Sequence, residues 1–160
     1  MKTITPVSTL FLLSLVAACG SGTSTAEPRT AIGDTSATTP TVDWAGWTRW
    51  TKVNRDPFVS KGHKKPWVSV YVPAEHAPRY ASLEGEMPQG FAVLKSVHGD
   101  EGGSPGPVQA LTVMAKMGPD YDPDNGNWYY AVLSPDASKV LNEGTLEMCI
   151  GCHSTGTDYL

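Results

Sequence analysis

The stretch "VQALTVMAKMGPDYDPDNGNWYYAVL" (108–133) decides the fold of this chain. Its first part, 108–117, contains the β-branched residues Val108, Thr112 and Val113, and its last part, 128–133, combines aromatic and β-branched side chains; both compositions are typical of strands. The polar segment between them contains Asn125-Gly126, a pair that favours a tight reversal of the chain. We therefore predict two antiparallel strands joined by a loop over 118–127.

Two more strands are predicted upstream. "GFAVLKSV" (90–97) follows the turn "MPQG", and "WVSVYVP" (67–73) alternates between apolar and polar side chains. Between them, "EHAPRYASL" (75–83) predicts a short helical turn interrupted by proline. The chain has 16 glycines and 13 prolines, which excludes long uninterrupted helices. We expect a mainly β (α+β) fold, an antiparallel sheet with a few short flanking helices.

The N-terminal part predicts an exported protein. Residues 1–18 have Lys2 and an apolar core too short for a membrane span, which is typical of a signal peptide. "LVAAC" resembles the lipobox of bacterial lipoproteins, so we expect cleavage before Cys19 and a lipid on that cysteine. Residues 19–43 consist of the lipidated cysteine and a Ser/Thr/Gly-rich tether, and 44–160 form the folded domain.

Two features of the folded part concern contacts and partners. Trp44, Trp47 and Trp50 lie three residues apart and predict one face of a short helix, packed in the core or at a dimer contact. The formal net charge is −4, and the basic cluster "KGHKK" (61–65) is short. A nucleic-acid partner is therefore not expected, because such partners select basic surfaces.

The chain ends in a motif with its own chemistry. "GTLEMCIGCH" (144–153) predicts a short helix with Thr145 as its N-cap, and it contains Cys149, Cys152 and His153 in the spacing Cys-x-x-Cys-His. Two thiols at this spacing suit the vinyl groups of haem, and the adjacent histidine suits its iron. We predict haem c on Cys149 and Cys152, with His153 as the axial iron ligand.

Two other readings of the motif stay open. Zinc would need both thiols plus two further ligands, for which His63, His76 and His98 are candidates. A dithiol redox motif usually follows a strand in a βαβ unit, which this chain does not predict. Haem also accounts for the cysteine count, because the third cysteine, Cys19, is assigned to lipid. Both assignments place the protein in the periplasm, anchored to a membrane through Cys19.

The sixth coordination position of the iron is predicted to be open. The tail "STGTDYL" (154–160) offers no methionine, histidine or lysine. A protein ligand would have to come from upstream, and the candidates are Met87, Met114, Met117, Lys95, Lys116 and His98. Open iron favours small-molecule binding or redox catalysis over pure electron transfer. Four-helix cytochromes, which also end in this motif, are excluded by the glycine and proline spacing.

Residues 44–160 resemble the cytochrome P-460 and cytochrome c′-beta family. The resemblance is carried by "MPQGFAVLK", by "LTVMAKMGPDYDPDNGNWYYAVL", and by "CIGCH" followed by "TDYL". It implies a mainly antiparallel β fold, usually a homodimer, with one c-type haem per chain. In the P-460 branch a lysine is cross-linked to the porphyrin, and hydroxylamine is oxidised with nitric oxide chemistry. The c′-beta branch lacks the cross-link, lines the open face with phenylalanine, and binds nitric oxide or carbon monoxide.

The resemblance points to Lys95 as the candidate haem cross-link and to Phe91 as the candidate distal cap. Strand alternation puts both on one face with Val93. For Lys95, a solvent-facing position is an equally open alternative, and for Phe91 a place in the core is favoured over the role of cap. Lys116 is a weaker candidate because it is expected to be exposed. Proton transfer during oxidation needs a base, for which the candidates are Glu84, Glu86, His98, Asp100 and Glu101.

The predicted function is a periplasm-facing c-type cytochrome that oxidises hydroxylamine or processes nitric oxide and passes electrons to an external redox partner. The alternatives are a c′-beta-like protein that binds nitric oxide or carbon monoxide without turnover, and an electron-transfer cytochrome with an upstream iron ligand.

Overall fold

The computed structural model describes residues 39–61 and 67–160. The predicted signal (1–18), Cys19, the tether up to residue 38 and most of the "KGHKK" cluster, including His63, lie outside the described residues. In the part that is described, no helix is both long enough and apolar enough to cross a membrane.

The domain is built on one antiparallel sheet, which confirms the predicted fold class. Its seven strands are β1 (Thr51–Lys52), β2 (Phe58–Val59), β3 (Trp67–Val72), β4 (Ala92–Asp100), β5 (Pro105–Lys116), β6 (Trp128–Leu133) and β7 (Val140–Gly144). The spatial order is β1-β3-β4-β5-β6-β7, and β2 also pairs with β3. In the described ranges, two α-helices flank the sheet, α1 (Ala77–Ser82) and α2 (Glu147–His153).

Predicted and observed strands differ at their ends. The β4–β5 pair continues to Asp100 opposite Pro105, so the loop predicted at 98–107 is shorter than expected. Glycines 102 and 103 have φ of 63° and 88°, and this left-handed backbone allows the tight reversal. The edge strand β7 was not predicted, because nearly all of its side chains are exposed and it lacks an apolar alternation.

Strand alternation divides the buried side chains between two faces of the sheet. One face, here called the helix face, packs against α1, α2 and the C-terminal tail, and its core contains Val70, Phe91, Val93, Met114, Trp128 and Tyr130. The opposite face, here called the tryptophan face, contains Leu94, Leu111, Val113, Tyr129 and Leu133. Both faces are covered, which explains why the central strands are buried along most of their length.

Trp44, Trp47 and Trp50 cover the tryptophan face and pack against its core. Trp44–Arg49 is a 3₁₀ helix, in which residues three apart lie above one another, so the spacing of three aligns the rings. The Trp47 ring meets the Tyr71 ring edge-on with 5.1 Å between centroids. Asp43 caps this helix by accepting a hydrogen bond from the backbone N–H of Gly46.

Helix α2 carries the Cys-x-x-Cys-His motif, as predicted. The prediction of Thr145 as its N-cap is wrong, because Leu146 occupies that position and no side chain caps the helix. The helix is held instead by the apolar residues Leu146 and Ile150, which pack against the core of the helix face.

Candidate functional site

A cleft lies between α2 and the helix face of strands β4, β5 and β6. The sheet contributes Lys95, Met114 and Tyr130 to its lining, and α2 contributes Cys149, Cys152 and His153. The cleft encloses about 100 Å³ and opens to the surface. The register explains this convergence, because Met114 pairs with Val93 on one side and with Tyr130 on the other.

The two thiols are free and lie one helical turn apart. Cys149 is half-buried and Cys152 is exposed, and they form no disulfide. Burial raises the pKa of the Cys149 thiol, with a further contribution from Cys152, while the Lys95 ammonium acts in the opposite direction. A reagent that enters the cleft would therefore meet two thiols on the same side of one helix.

The His153 ring is oriented by the tail that follows it. Its Nδ1 lies 2.6 Å from the carbonyl oxygen of Tyr159. A carbonyl can only accept a hydrogen bond, so Nδ1 carries the hydrogen. In the neutral ring, Nε2 then keeps its lone pair. An outer hydrogen bond of this kind is typical of histidines that bind metal.

Lys95 faces the same ring. Its Nζ lies 3.3 Å from Nε2 of His153, and its side chain lines the cleft. Burial lowers the pKa of Lys95, and the negative charge available to Cys149 and Cys152 opposes this shift. If both thiols became neutral thioethers, their negative charge would no longer raise the pKa of Lys95, and the neutral amine would be favoured further.

Phe91 lies on the same face as Lys95, but it does not line the cleft. It has 0% exposure, stacks on His76 with 4.7 Å between ring centroids, and meets Trp128 edge-on at 6.4 Å. In this arrangement Phe91 is a core residue directly before β4, two positions ahead of Val93. The role of distal cap has no geometric support here.

Tyr130 is a cleft residue that we did not single out from the sequence. Its side chain is 2% exposed, and its hydroxyl group has no hydrogen-bond partner among the described residues. Its ring centroid lies 5.8 Å from that of His153. Burial raises the pKa of Tyr130, so the phenol keeps its proton and can donate. The alternation of Trp128 and Tyr130 along β6 was visible in the sequence, but only the pairing of Tyr130 with Met114 in the structure places this residue at the cleft.

The other candidate iron ligands and bases differ in whether they line the cleft. Met114 and Lys95 are the proposed upstream iron ligands that line the cleft, whereas Met87, Met117, Lys116 and His98 do not line it. None of the five candidate bases lines the cleft either. The expectation that Lys116 is exposed is wrong: it is 4% exposed, because it contributes to the helix face and forms an ion pair there.

The alternative of a zinc site finds no support in the described ranges, 39–61 and 67–160. They contain no group of three or more His, Cys, Asp or Glu side chains placed to hold a metal. His98 contacts the Ser96 hydroxyl and the Gly106 carbonyl, each at 2.9 Å, and Nδ1 of His76 accepts a hydrogen bond from the backbone N–H of Ala92.

The donor set of the cleft fits a covalently attached porphyrin. It combines two free thiols on one turn, an adjacent histidine with a defined hydrogen position, an apolar lining and a buried hydroxyl group without a partner. Comparisons with models of protein families and with curated proteins gave no match. The function of this chain is therefore inferred from the geometry of the cleft.

Proposed function

We propose that residues 44–160 form a c-type cytochrome domain, in which Cys149 and Cys152 hold haem c by thioether bonds and His153 is the axial iron ligand. The observation that supports this most directly is the hydrogen bond between the His153 ring and the tail. Nδ1 donates to the Tyr159 carbonyl, which directs the lone pair of Nε2 toward the cleft beside both thiols.

The bound haem would supply an iron with one-electron redox chemistry and a position for a small ligand. The residues of the chain have three tasks around it. His153 would bind the metal from α2, the apolar side chains of the helix face would exclude water, and the Tyr130 hydroxyl group would donate a hydrogen bond to the occupant of the cleft. The half-buried Lys95 amine adds a nucleophile that burial favours in its neutral form.

We propose hydroxylamine oxidation or nitric oxide processing, of the P-460 type, as the activity. The supporting observation is Lys95, whose Nζ lies in the cleft only 3.3 Å from the histidine ring. Lys95 lines the same cleft as both thiols, so once iron replaces its contact with Nε2 the amine would lie beside a porphyrin held by α2. Electrons would pass to an external redox partner outside the cytoplasm. Membrane attachment through Cys19 and a homodimer remain parts of this proposal.

The test is the visible spectrum and the intact mass of the protein expressed with haem-attachment machinery. A cross-linked Lys95 gives a main ferrous band displaced far to the red, and haem stays on a Lys95-containing peptide after digestion. Lys95→Ala should abolish both signals, whereas Lys139→Ala, at an exposed lysine, should keep them. Red-shifted absorption that survives in Lys95→Ala would exclude Lys95. An unshifted spectrum in the wild type would favour the c′-beta-like alternative, which binds nitric oxide or carbon monoxide without turnover.

Met114 favours one second candidate function, an electron-transfer cytochrome. Its side chain is 3% exposed and lines the cleft, so its sulfur is within the same space as His153. Methionine opposite histidine is the usual ligand pair of electron carriers. A low-spin ferrous spectrum that becomes high-spin in Met114→Leu would support this candidate. Ready binding of carbon monoxide by the wild type would argue against it.

A further inference from the structure

We propose that the buried ion pair between Lys116 and Asp158 positions His153, by holding the tail whose carbonyl group accepts the Nδ1 hydrogen bond. This inference rests on the proposed role of His153 as an iron ligand. It assigns a task to two residues that do not touch the cleft. Lys116 and Asp158 would act on the metal site only through the backbone of the tail.

The ion pair is short and shielded from water. Nζ of Lys116 lies 2.8 Å from Oδ1 of Asp158, and the two side chains are 3% and 10% exposed. The other oxygen of Asp158 accepts a hydrogen bond of 2.6 Å from the backbone N–H of Met87. The Lys116 ammonium also contacts Glu86 at 3.0 Å and lies over the Trp128 ring at 5.2 Å. Asp158 is therefore fixed from two sides to the sheet and its neighbouring loop.

The backbone of the tail shows why it needs such an attachment. Asp158 and Tyr159 have φ of 45° and 64°, in the left-handed region that non-glycine residues rarely adopt. Two consecutive residues in this region turn the chain back, so that the Tyr159 carbonyl faces Nδ1 of His153 at 2.6 Å. Such a conformation persists only where the surroundings hold it. The ion pair holds Asp158, the residue directly before the Tyr159 carbonyl group in the chain.

The hydrogen bond to Tyr159 has a defined effect on a metal ligand. A donor Nδ1–H makes the imidazole more basic at Nε2, and this stabilises ferric iron relative to ferrous iron. Without the ion pair, the Tyr159 carbonyl would lose its fixed direction. The expected result is a weaker ligand and a higher reduction potential.

The perturbation that changes shape least is Asp158→Asn, which keeps an acceptor for the Met87 N–H. Lys116→Met removes the other partner. Loss of an outer-shell partner typically changes a metal site by 10–100-fold. We expect roughly a tenfold shift of the ferric–ferrous equilibrium toward ferrous in each variant, which is about 59 mV for a one-electron couple. The iron–histidine stretching band in the resonance Raman spectrum should move to lower frequency.

Two surface variants serve as matched controls. Asp120→Asn and Lys139→Met change the same charges at exposed positions and should leave the potential and the Raman band unchanged. In the double variant of Lys116 and Asp158, the shift should equal that of a single variant, because both act through one contact. Additive shifts, or a wild-type Raman band in Asp158→Asn, would overturn the proposal.

The haem measurement separates this proposal from the proposed function. If denatured protein carries no covalent haem, the proposed function fails, and the ion pair is then tested in the haem-free protein by ¹⁵N NMR of the His153 ring. Hydrogen on Nδ1 in the wild type and mixed tautomers in Asp158→Asn would support the positioning role. An unchanged tautomer in Asp158→Asn would contradict it.

Discussion

Tyr130→Phe is expected to change stability in opposite directions in the haem-free and the haem-loaded protein. The buried Tyr130 hydroxyl group has no hydrogen-bond partner among the described residues, and it faces the cleft. A buried hydroxyl without a partner costs about 1–3 kcal/mol of folding free energy. Its removal should therefore stabilise the haem-free protein by about 1 kcal/mol or more. For a domain of this size, that is an increase in Tm of about 4 °C.

The haem-loaded protein should respond the other way if the hydroxyl group donates to the occupant of the cleft. Loss of one hydrogen bond typically costs about 0.5–1.5 kcal/mol. The two forms should then differ in their response by about 2 kcal/mol. The assay is urea unfolding followed by far-ultraviolet circular dichroism, on protein made with and without haem-attachment machinery.

Tyr129→Phe is the matched control, one residue away on the opposite face of the same strand. Its hydroxyl group donates to Oε2 of Glu143 at 2.6 Å, close to the surface. Its removal should cost about 1 kcal/mol in both forms, with the same sign. An equal loss of stability for Tyr130→Phe in both forms would refute the reasoning, since it would mean that the hydroxyl group has a partner without haem.

Three further predictions concern the tail, a turn and the cleft. Gly126→Ala should lose about 2 kcal/mol in urea unfolding, because φ is 69° and the new Cβ would lie 2.9 Å from ring carbons of Tyr159. A neutral result would contradict both the backbone strain and the close contact with the Tyr159 ring. Hydrogen bonds from Ser134 and Ser138 lower the pKa of Asp136 from 3.8 to about 2, so this contact contributes stability above about pH 4 that is lost as pH falls through 2. NMR titration should show the pKa of Asp136 moving toward 3.8 in Ser134→Ala, and an unmoved pKa would remove Ser134 as its cause. Burial lowers the pKa of Lys95 below its ordinary value of 10.5, so the charged ammonium opposes folding at pH values below 10.5 and does not do so well above it. Lys95→Met should therefore stabilise the haem-free protein more at about pH 6 than at about pH 11. An equal gain at both would show that the lost charge is not the reason.

The central sheet could be predicted from the sequence because its strands carry the signal themselves. Strand β6 has the predicted bounds, since "WYYAVL" combines aromatic and β-branched residues between polar turns. The edge strand β7 could not be predicted, because it is held by pairing with β6 and has exposed side chains. The strand propensity of a short segment does not predict a strand that is stabilised mainly by hydrogen bonds to the strand beside it.

The candidate site could be predicted only in part, for a related reason. The Cys-x-x-Cys-His motif is local, so Cys149, Cys152 and His153 were identifiable, and alternation placed Lys95 on the same face as Val93. Other contacts join positions far apart in sequence. Asp158 pairs with Lys116 across 42 residues, so the burial of that lysine was not visible in "VMAKM". Tyr130 required the register between β5 and β6.

The most direct test of the account is the mass of the denatured protein after expression with haem-attachment machinery. The proposed site predicts one covalently bound haem in the wild type and none in the double variant Cys149→Ser, Cys152→Ser, with both proteins folded. A wild-type protein that folds in this system with the mass of the bare chain would contradict the central claim.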